Sequence, residues 1–138
     1  MAKFAIAAGD QITADAAAHA LRAGGGAVDA VIAGALAACV AEPVLASLLG
    51  GGFLMVRDAD GRAHCLDFFV QTPKRKVPAS EMDFRGVMAD FGEATQEFHI
   101  GAASIAAPGV AVGLAEAHDR FGRIPLPELA APAVRAAK

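Results

Sequence analysis

The chain has 138 residues, 12 basic and 15 acidic, and its formal net charge of -3 argues against a nucleic-acid-binding protein. Its 55% of hydrophobic and 20% of charged residues argue against intrinsic disorder. The longest uncharged apolar run, residues 30–41, is shorter than the roughly 18 residues that a membrane-spanning helix requires. Because 35 residues are alanine, close helix packing must supply much of the cohesion that large side chains would otherwise give.

Two helices are predicted first, over residues 13–21 and 27–41, with a glycine triplet between them. Either Asp10 or Thr13 can cap the first helix. The second helix has no polar face apart from Asp29, so it is expected to be covered on most sides.

A β-hairpin follows, with strands at residues 53–56 and 64–70 and a turn at residues 58–61. Residues 71–101 show no sustained period of either kind, apart from one short helical turn at residues 80–84. About thirty weakly structured residues inside a compact domain argue against that domain being complete. We therefore expect one domain over residues 1–138 that is an incomplete piece of a larger fold.

Regular structure is expected again near the end of the chain. Residues 102–106 predict a strand, and residues 108–121 predict a helix that begins at a proline and stops at a glycine. A last helix is predicted from Pro127 to the C-terminal Lys138. Together with the earlier elements, these segments indicate an alanine-rich protein of mixed helices and strands.

Few residues form a recognisable chemical site. The four histidines are scattered without metal-ligand spacing, and no Ser, Thr or Cys stands out beside a base, so no catalytic residue, metal ligand or cofactor is assigned. Glu97 and His99 would share one face of a strand, as a proton-transfer pair requires, although no nucleophile is near them. The Lys74–Lys76 run predicts a solvated loop. Cys39 and Cys65 are expected to be buried free thiols.

The order of several short stretches resembles the large subunit of the gamma-glutamyltranspeptidase family. The stretches occur at fitting intervals over nearly the whole chain, and they are Leu21–Ala30 (LRAGGGAVDA), Glu42–Pro43, Gly50–Leu54 (GGGFL), Ala107–Leu114 (APGVAVGL), Phe121–Pro125 (FGRIP) and Leu129–Arg135 (LAAPAVR). This resemblance implies an α+β fold of the N-terminal-nucleophile hydrolase type, a four-layer αββα sandwich, of which the chain would be an incomplete N-terminal portion.

The resemblance also implies a mechanism. Family members are precursors that cleave themselves, and the new N-terminal threonine of the small subunit attacks a γ-glutamyl amide such as glutathione. The acyl-enzyme then passes its acyl group to water or to an amino acid. The nucleophile would lie outside this chain, which alone is expected to be inactive. Its expected partners are the remainder of the precursor, or the small subunit, and a small γ-glutamyl or other amide substrate.

Two positions depart from the family pattern. Members that use γ-glutamyl substrates carry an arginine, which pairs with the α-carboxylate of the substrate, where Phe69 stands here. The glycine-rich run normally has one more glycine, at the position of Leu49. The resemblance therefore points to a divergent branch, for which another amide is an alternative substrate. We expect Phe69 and Gln71 to form part of the wall of the substrate pocket.

Two further expectations concern the role and location of the chain. The alternative to an enzyme segment is a non-catalytic scaffold or partner-binding module that kept this part of the fold and lost the catalytic half. Residues 4–8 are too short an apolar run for a secretory signal, so the chain as written is expected to be cytoplasmic. Members of the family are often exported, as the resemblance implies.

Overall fold

The computed structural model of the chain describes residues 3–138, which contain four helices and four strands. In chain order these are α1 (Gln11–Arg22), α2 (Ala27–Ala41), β1 (Phe53–Arg57), β2 (Ala63–Asp67), β3 (Arg85–Asp90), β4 (Thr95–Ile100), α3 (Val110–Phe121) and α4 (Leu126–Ala136).

The chain forms two compact units. One extends to Phe69 and resumes from Pro108 to Lys138, and the other extends from Val70 to Ala107. The first contains all four helices and the β1–β2 hairpin, whereas the second contains the β3–β4 hairpin. The expectation that residues 1–138 form a single incomplete domain stays a prediction.

The two N-terminal helices form where the sequence predicts them. The carboxylate of Asp10 accepts a hydrogen bond from the Ile12 amide at 2.7 Å, which makes Asp10 the N-cap of α1. The bounds of α2 are those predicted. The helices approach closely because small residues face each other, and a Cβ added to Gly34 would lie 3.4 Å from the Thr13 carbonyl oxygen.

The core of the first unit is centred on α2. Ile32 has no exposed surface and belongs to one cluster with Leu54 and Leu66 of the first hairpin, Leu114 of α3 and Leu129 of α4. Leu54 and Leu66 are directly opposite in the antiparallel register, so the hairpin turns one pair of leucines towards the helices. The helices α1, α3 and α4 cover much of α2, whose sequence is apolar on most sides.

The predicted first hairpin is confirmed, although its second strand ends at Asp67 and not at residue 70 as predicted. Strands β1 and β2 pair antiparallel, and the carboxylate of Asp58 closes the turn by accepting a hydrogen bond from the Arg62 amide at 2.9 Å. Gly61 has a φ of +82°, the left-handed conformation that glycine adopts readily. Asp58 also lies 3.0 Å from Nε2 of His64, and these contacts of His64 and Arg62 lower the pKa of the Asp58 carboxyl.

The second unit departs from the sequence predictions. Strands β3 and β4 form a hairpin within the stretch for which no regular structure is expected. Nearly all residues of both strands are exposed, so burial does not impose the polar and apolar alternation that identifies a strand in a sequence. The helical turn is a short 3-10 helix at Ala79–Glu81, slightly earlier than predicted.

The strand predicted at residues 102–106 is wrong. Ala102–Ser104 form a 3-10 helix, which follows Gly101 with a φ of +112°. Asp83 explains this conformation, because its carboxylate accepts a hydrogen bond from the Ala102 amide at 3.2 Å and its carbonyl accepts one from the Ala103 amide at 3.0 Å. These two hydrogen bonds satisfy backbone amides that a strand would pair with a neighbour.

The cysteines are free thiols, as predicted, but their burial is not as predicted. Cys65 is exposed on β2, and Cys39 is half-buried on α2. Successive residues of a strand face opposite sides, so Leu66 occupies the core side and Cys65 the outer side. Across residues 3–138, the helices all fall short of the length and apolarity needed to cross a bilayer.

Candidate functional site

The glycine run at residues 50–52 is joined to the N-terminus of α3. The carbonyl oxygen of Gly50 accepts hydrogen bonds from the amides of Gly109 and Val110, at 2.9 and 3.1 Å. Amides at the start of a helix have no partner inside the helix, and here two of them are satisfied by this carbonyl. The run is therefore a structural bend that fixes where α3 begins.

Phe68 packs between the glycine run at residues 50–52 and the start of α3, where Gly109 and Gly113 lie. Its backbone exchanges two hydrogen bonds with Gly52, which extends the β1–β2 ladder by one residue pair. A Cβ at Gly52 would lie 3.1 Å from the edge of the Phe68 ring, and one at Gly113 would overlap the ring. A Cβ at Gly109 would overlap the Phe68 carbonyl. A side chain at position 109 or 113 would therefore overlap Phe68, and position 52 leaves little room for one, because strand, bend and helix approach one another around this residue.

Phe69, a predicted wall residue, lies just beyond the end of β2. Its amide donates a hydrogen bond to the Asp67 carboxylate at 3.0 Å. Its ring stacks on that of Phe53, with centroids 5.6 Å apart and planes inclined by 14°. The two residues stay 51% and 62% exposed, respectively, so the stacked pair lies at the surface of the first unit.

Gln71, the other predicted wall residue, belongs to the second unit. Its backbone pairs with Ala107 by two hydrogen bonds, of 3.2 and 2.7 Å. This bridge joins the two ends of the second unit. The assignment of Phe69 and Gln71 to the wall of a pocket stays a prediction.

An open cleft of about 460 Å³ lies beside the bend in the first unit. One side consists of Val31 and Cys39 on α2, and another of Phe53 and Val110. Val31 is half exposed there, so α2 is less fully covered than its sequence predicts. Among the described residues that line the cleft, none carries a formal charge, and burial raises the pKa of the Cys39 thiol. This cleft suits apolar groups.

The gamma-glutamyltranspeptidase family profile matches residues 13–138. The chain belongs to this family. A glutathione hydrolase proenzyme of Pseudomonas aeruginosa is 38% identical over 131 residues, covering 94% of this chain and 22% of its own length. An acylase ACY 1 proenzyme of Pseudomonas sp. strain SE83 is 38% identical over 136 residues, covering 95% of this chain and 22% of its own length. The chain thus spans about a fifth of the length of these relatives.

The structural comparison confirms the predicted fold class. A gamma-glutamyltranspeptidase from Pseudomonas nitroreducens, solved in complex with L-DON, superposes with a TM-score of 0.80 at 34% sequence identity. The match covers 100% of this chain and 39% of that one. The helices and strands described above therefore form part of an N-terminal-nucleophile hydrolase fold, as the resemblance implies.

One residue of the stretches that carry the family resemblance, Asp29, has a clear structural role in this chain. Asp29, in the first of the matching stretches, is fully buried. Its carboxylate accepts hydrogen bonds from the amides of Gly26 at 2.7 Å, Arg123 at 2.9 Å and Ile124 at 3.2 Å. One acidic side chain thus joins the start of α2 to the connection between α3 and α4.

The ionisation of Asp29 follows from these contacts. Burial favours the neutral form, but the three backbone hydrogen bonds and the nearby His118 favour the carboxylate. The second effect prevails, and the pKa of Asp29 is lowered below its ordinary value. Sequence reasoning identifies Asp29 as the one polar residue of the second helix, but the donors at residues 123 and 124 are too distant in sequence to predict.

The pair suggested for proton transfer is only partly assembled. Glu97 and His99 share one face of β4, as predicted, but His99 Nε2 lies 4.0 Å from Glu97 Oε1, beyond hydrogen-bonding distance. The ring of His99 instead stacks on Phe84 with centroids 4.4 Å apart. Within residues 3–138, no three His, Cys, Asp or Glu side chains come together as a metal site would require.

Proposed function

We propose that this chain is the N-terminal segment of a γ-glutamyltransferase or γ-glutamyl hydrolase that cleaves γ-glutamyl amides such as glutathione. The observation that carries the proposal is the family match over residues 13–138. The relative from Pseudomonas aeruginosa, named as a glutathione hydrolase proenzyme, supports the choice of substrate.

The proposed reaction proceeds through an acyl-enzyme. The hydroxyl oxygen of an N-terminal threonine, outside residues 1–138, attacks the amide carbonyl, and its proton passes by way of the threonine's own amine to the departing amine. Water or an amino acid then takes the acyl group from the threonine oxygen. The present chain supplies the scaffold, and Phe69 and Gln71 supply part of the wall around the acyl group.

A partner chain derived from the same precursor is part of the proposal. Its support is a set of exposed apolar side chains in the first unit, where Val44 is 94% exposed and Leu45 is 83% exposed. Leu49 and Val112 are also largely exposed. Apolar side chains exposed to this extent commonly mark an interface, and a small subunit would remove them from water.

The proposal is tested on the full-length polypeptide that contains this chain. Release of p-nitroaniline from γ-glutamyl-p-nitroanilide measures amide cleavage. We expect turnover by the processed protein, and loss of both processing and turnover when the nucleophilic threonine is replaced by alanine. Processed protein that leaves the γ-glutamyl amide intact would contradict the proposed substrate, and turnover that survives the threonine substitution would contradict the proposed mechanism.

A further inference from the structure

The turn end of the first hairpin lies against the C-terminal end of α3. Nε2 of His64, on β2, lies 3.0 Å from Oδ2 of Asp58 in the turn. The His64 ring packs on the ring of Phe121, the last residue of α3, with centroids 5.2 Å apart and planes inclined by 57°. We propose that these three residues, here called the histidine clasp, fasten the hairpin to α3 more tightly when His64 is protonated. The inference concerns the conformation of the first unit and does not depend on the proposed reaction.

Phe68 forms a second fastening point between β2 and α3, because its carbonyl and its ring lie against Gly109 and Gly113. From His64 to Phe68 a strand extends about 13 Å, and from Gly113 to Phe121 a helix extends about 12 Å. The two segments therefore run side by side in opposite directions and are held together at both ends. The contacts of Phe68 do not titrate, so the histidine clasp is the fastening point that responds to pH.

Protonation of His64 strengthens the clasp through Asp58. A neutral imidazole donates one hydrogen bond to the carboxylate, whereas an imidazolium adds the attraction of opposite charges to the same contact. The two side chains are each 28% exposed, so water and salt screen this attraction only in part. A stronger bond to Asp58 holds the imidazole ring in the orientation that packs on Phe121.

Asp58 is ionised throughout the range in which histidine side chains titrate. Its hydrogen bonds with the His64 side chain and the Arg62 amide lower the pKa of its carboxyl, and the ordinary pKa of an aspartate already lies below the histidine range of about pH 5–8. The Arg62 amide binds the other carboxylate oxygen at 2.9 Å, which fixes the orientation of the carboxylate. The proton that changes the clasp is therefore the one on His64, and the clasp weakens as the pH rises through this range.

The other charged residues of the hairpin turn are in contact with water. Asp60 lies 3.5 Å from Arg62, and Arg57, at the end of β1, lies beside Gly61. All three charged side chains are exposed, so solvent screens their effect on His64.

The helix α3 contributes one cation close to the clasp. The guanidinium of Arg120 lies 5.0 Å from the centroid of the phenyl ring in the clasp, and the carboxylate of Glu116 lies 3.9 Å from it and offsets part of its charge. His118, on the same helix, is bonded to a backbone carbonyl beyond the helix at 2.7 Å. The effect of Arg120 on His64 is therefore smaller than that of Asp58, which is in direct contact.

Hydrogen exchange of the turn measures the clasp in the full-length polypeptide. Mass spectrometry gives the exchange rate of the peptide covering residues 57–64 at about pH 5 and about pH 8, the limits of the histidine range, and each rate is divided by the intrinsic rate at the same pH. We expect the wild type to be about two- to fivefold better protected at the lower pH, which is the effect of a partly exposed ion pair. His64→Gln can donate a hydrogen bond but cannot be protonated, so it should remove this difference. Equal protection at both pH values in the wild type, or an undiminished difference in His64→Gln, would overturn the inference.

Asp58→Asn tests the other half of the ion pair. It leaves His64 and Phe121 in place and keeps an acceptor oxygen, but it removes the negative charge. The pH difference should fall as it does in His64→Gln, even if that variant disturbs the packing on Phe121. An unchanged difference in Asp58→Asn would contradict the clasp.

His19→Gln is the matched control, because His19 is an exposed histidine of α1 in the same unit. It should keep the full pH difference, and a loss equal to that of His64→Gln would assign the effect to the removal of any histidine. The peptide at residues 109–113, at the other fastening point, is the internal reference. A pH difference of the same size there would show that the whole unit responds, and it would also contradict the clasp.

Discussion

Removal of the Asp29 carboxylate should destabilise the chain strongly, because three backbone amides depend on it. Asp29 is 0% exposed, and no water can replace it at the amides of Gly26, Arg123 and Ile124 without rearrangement. A hydrogen bond to a charged group contributes about 1.5–3 kcal/mol, and an unsatisfied buried donor costs about 1–3 kcal/mol. Because Arg123 and Ile124 share one oxygen and lie in a connection that can relax, we expect Asp29→Ala to cost about 3–5 kcal/mol.

Asp29→Asn separates charge from shape. The amide oxygen can still accept from Arg123 and Ile124, but the amide nitrogen would face the Gly26 N–H, and two donors cannot pair. We expect a loss of about 2–3 kcal/mol.

The free energy of unfolding is measured by urea denaturation of the full-length polypeptide. Asp15→Asn, on the exposed face of α1, serves as the control and should stay within about 0.5 kcal/mol of wild type. If Asp29→Asn also lies within about 0.5 kcal/mol of wild type, the proposed role of these hydrogen bonds is refuted.

The ionisation of Asp29, the packing at Gly113 and the exposure of the two cysteines can each be tested separately. Folding lowers the pKa of Asp29, so ionised Asp29 stabilises the fold at pH values above its unfolded pKa. As the pH falls below about 4, this stabilisation is lost. Urea denaturation should therefore show a steeper fall in the free energy of unfolding for the wild type than for Asp29→Asn. Gly113→Ala forces a Cβ into the ring of Phe68 and should lower the free energy of unfolding by about 1–3 kcal/mol. Gly34→Ala adds a Cβ with ordinary contacts inside a helix and should be neutral or stabilising. The reverse order of stabilities would contradict the packing described. Cys65 is exposed while burial raises the pKa of the Cys39 thiol, so labelling followed by mass spectrometry should modify Cys65 first, and preferential labelling of Cys39 would contradict the described burial.

The sequence predicts the first unit well because its patterns are local and strong. The apolar run of α2 is bounded by glycines on one side and Glu42–Pro43 on the other, and both boundaries act on the backbone directly. The β1–β2 hairpin likewise has a turn whose Asp58 and Gly61 close it with local hydrogen bonds and a left-handed residue.

The second unit is predicted poorly because its strands are stabilised without a buried face. Val87, Met88 and Ala89 follow one another in β3 without alternation, and Phe98 is exposed on β4. A pattern based on burial cannot identify such strands. A two-stranded hairpin of this length also has little stability of its own.

The sequence also predicts only part of the candidate site: it identifies individual residues but not the contacts between distant segments. The resemblance identifies Phe69 by its position after the strand aspartate, but its stacking on Phe53 depends on the register of the hairpin. The bonds between Asp29 and residues 123–124 span more than 90 positions, and they exist only once the four helices have packed. Contacts between distant segments are set by the tertiary fold, and local propensity does not encode them.

The central claim is that this chain functions as one part of a processed amide-cleaving enzyme. The most direct test is the intact mass and N-terminal sequence of every polypeptide in the natively purified protein. We predict a partner chain that begins with threonine, the residue that the proposed mechanism requires. A single species of about 13.9 kDa would contradict the claim, since the nucleophile would then be missing, and the non-catalytic scaffold would become the better account.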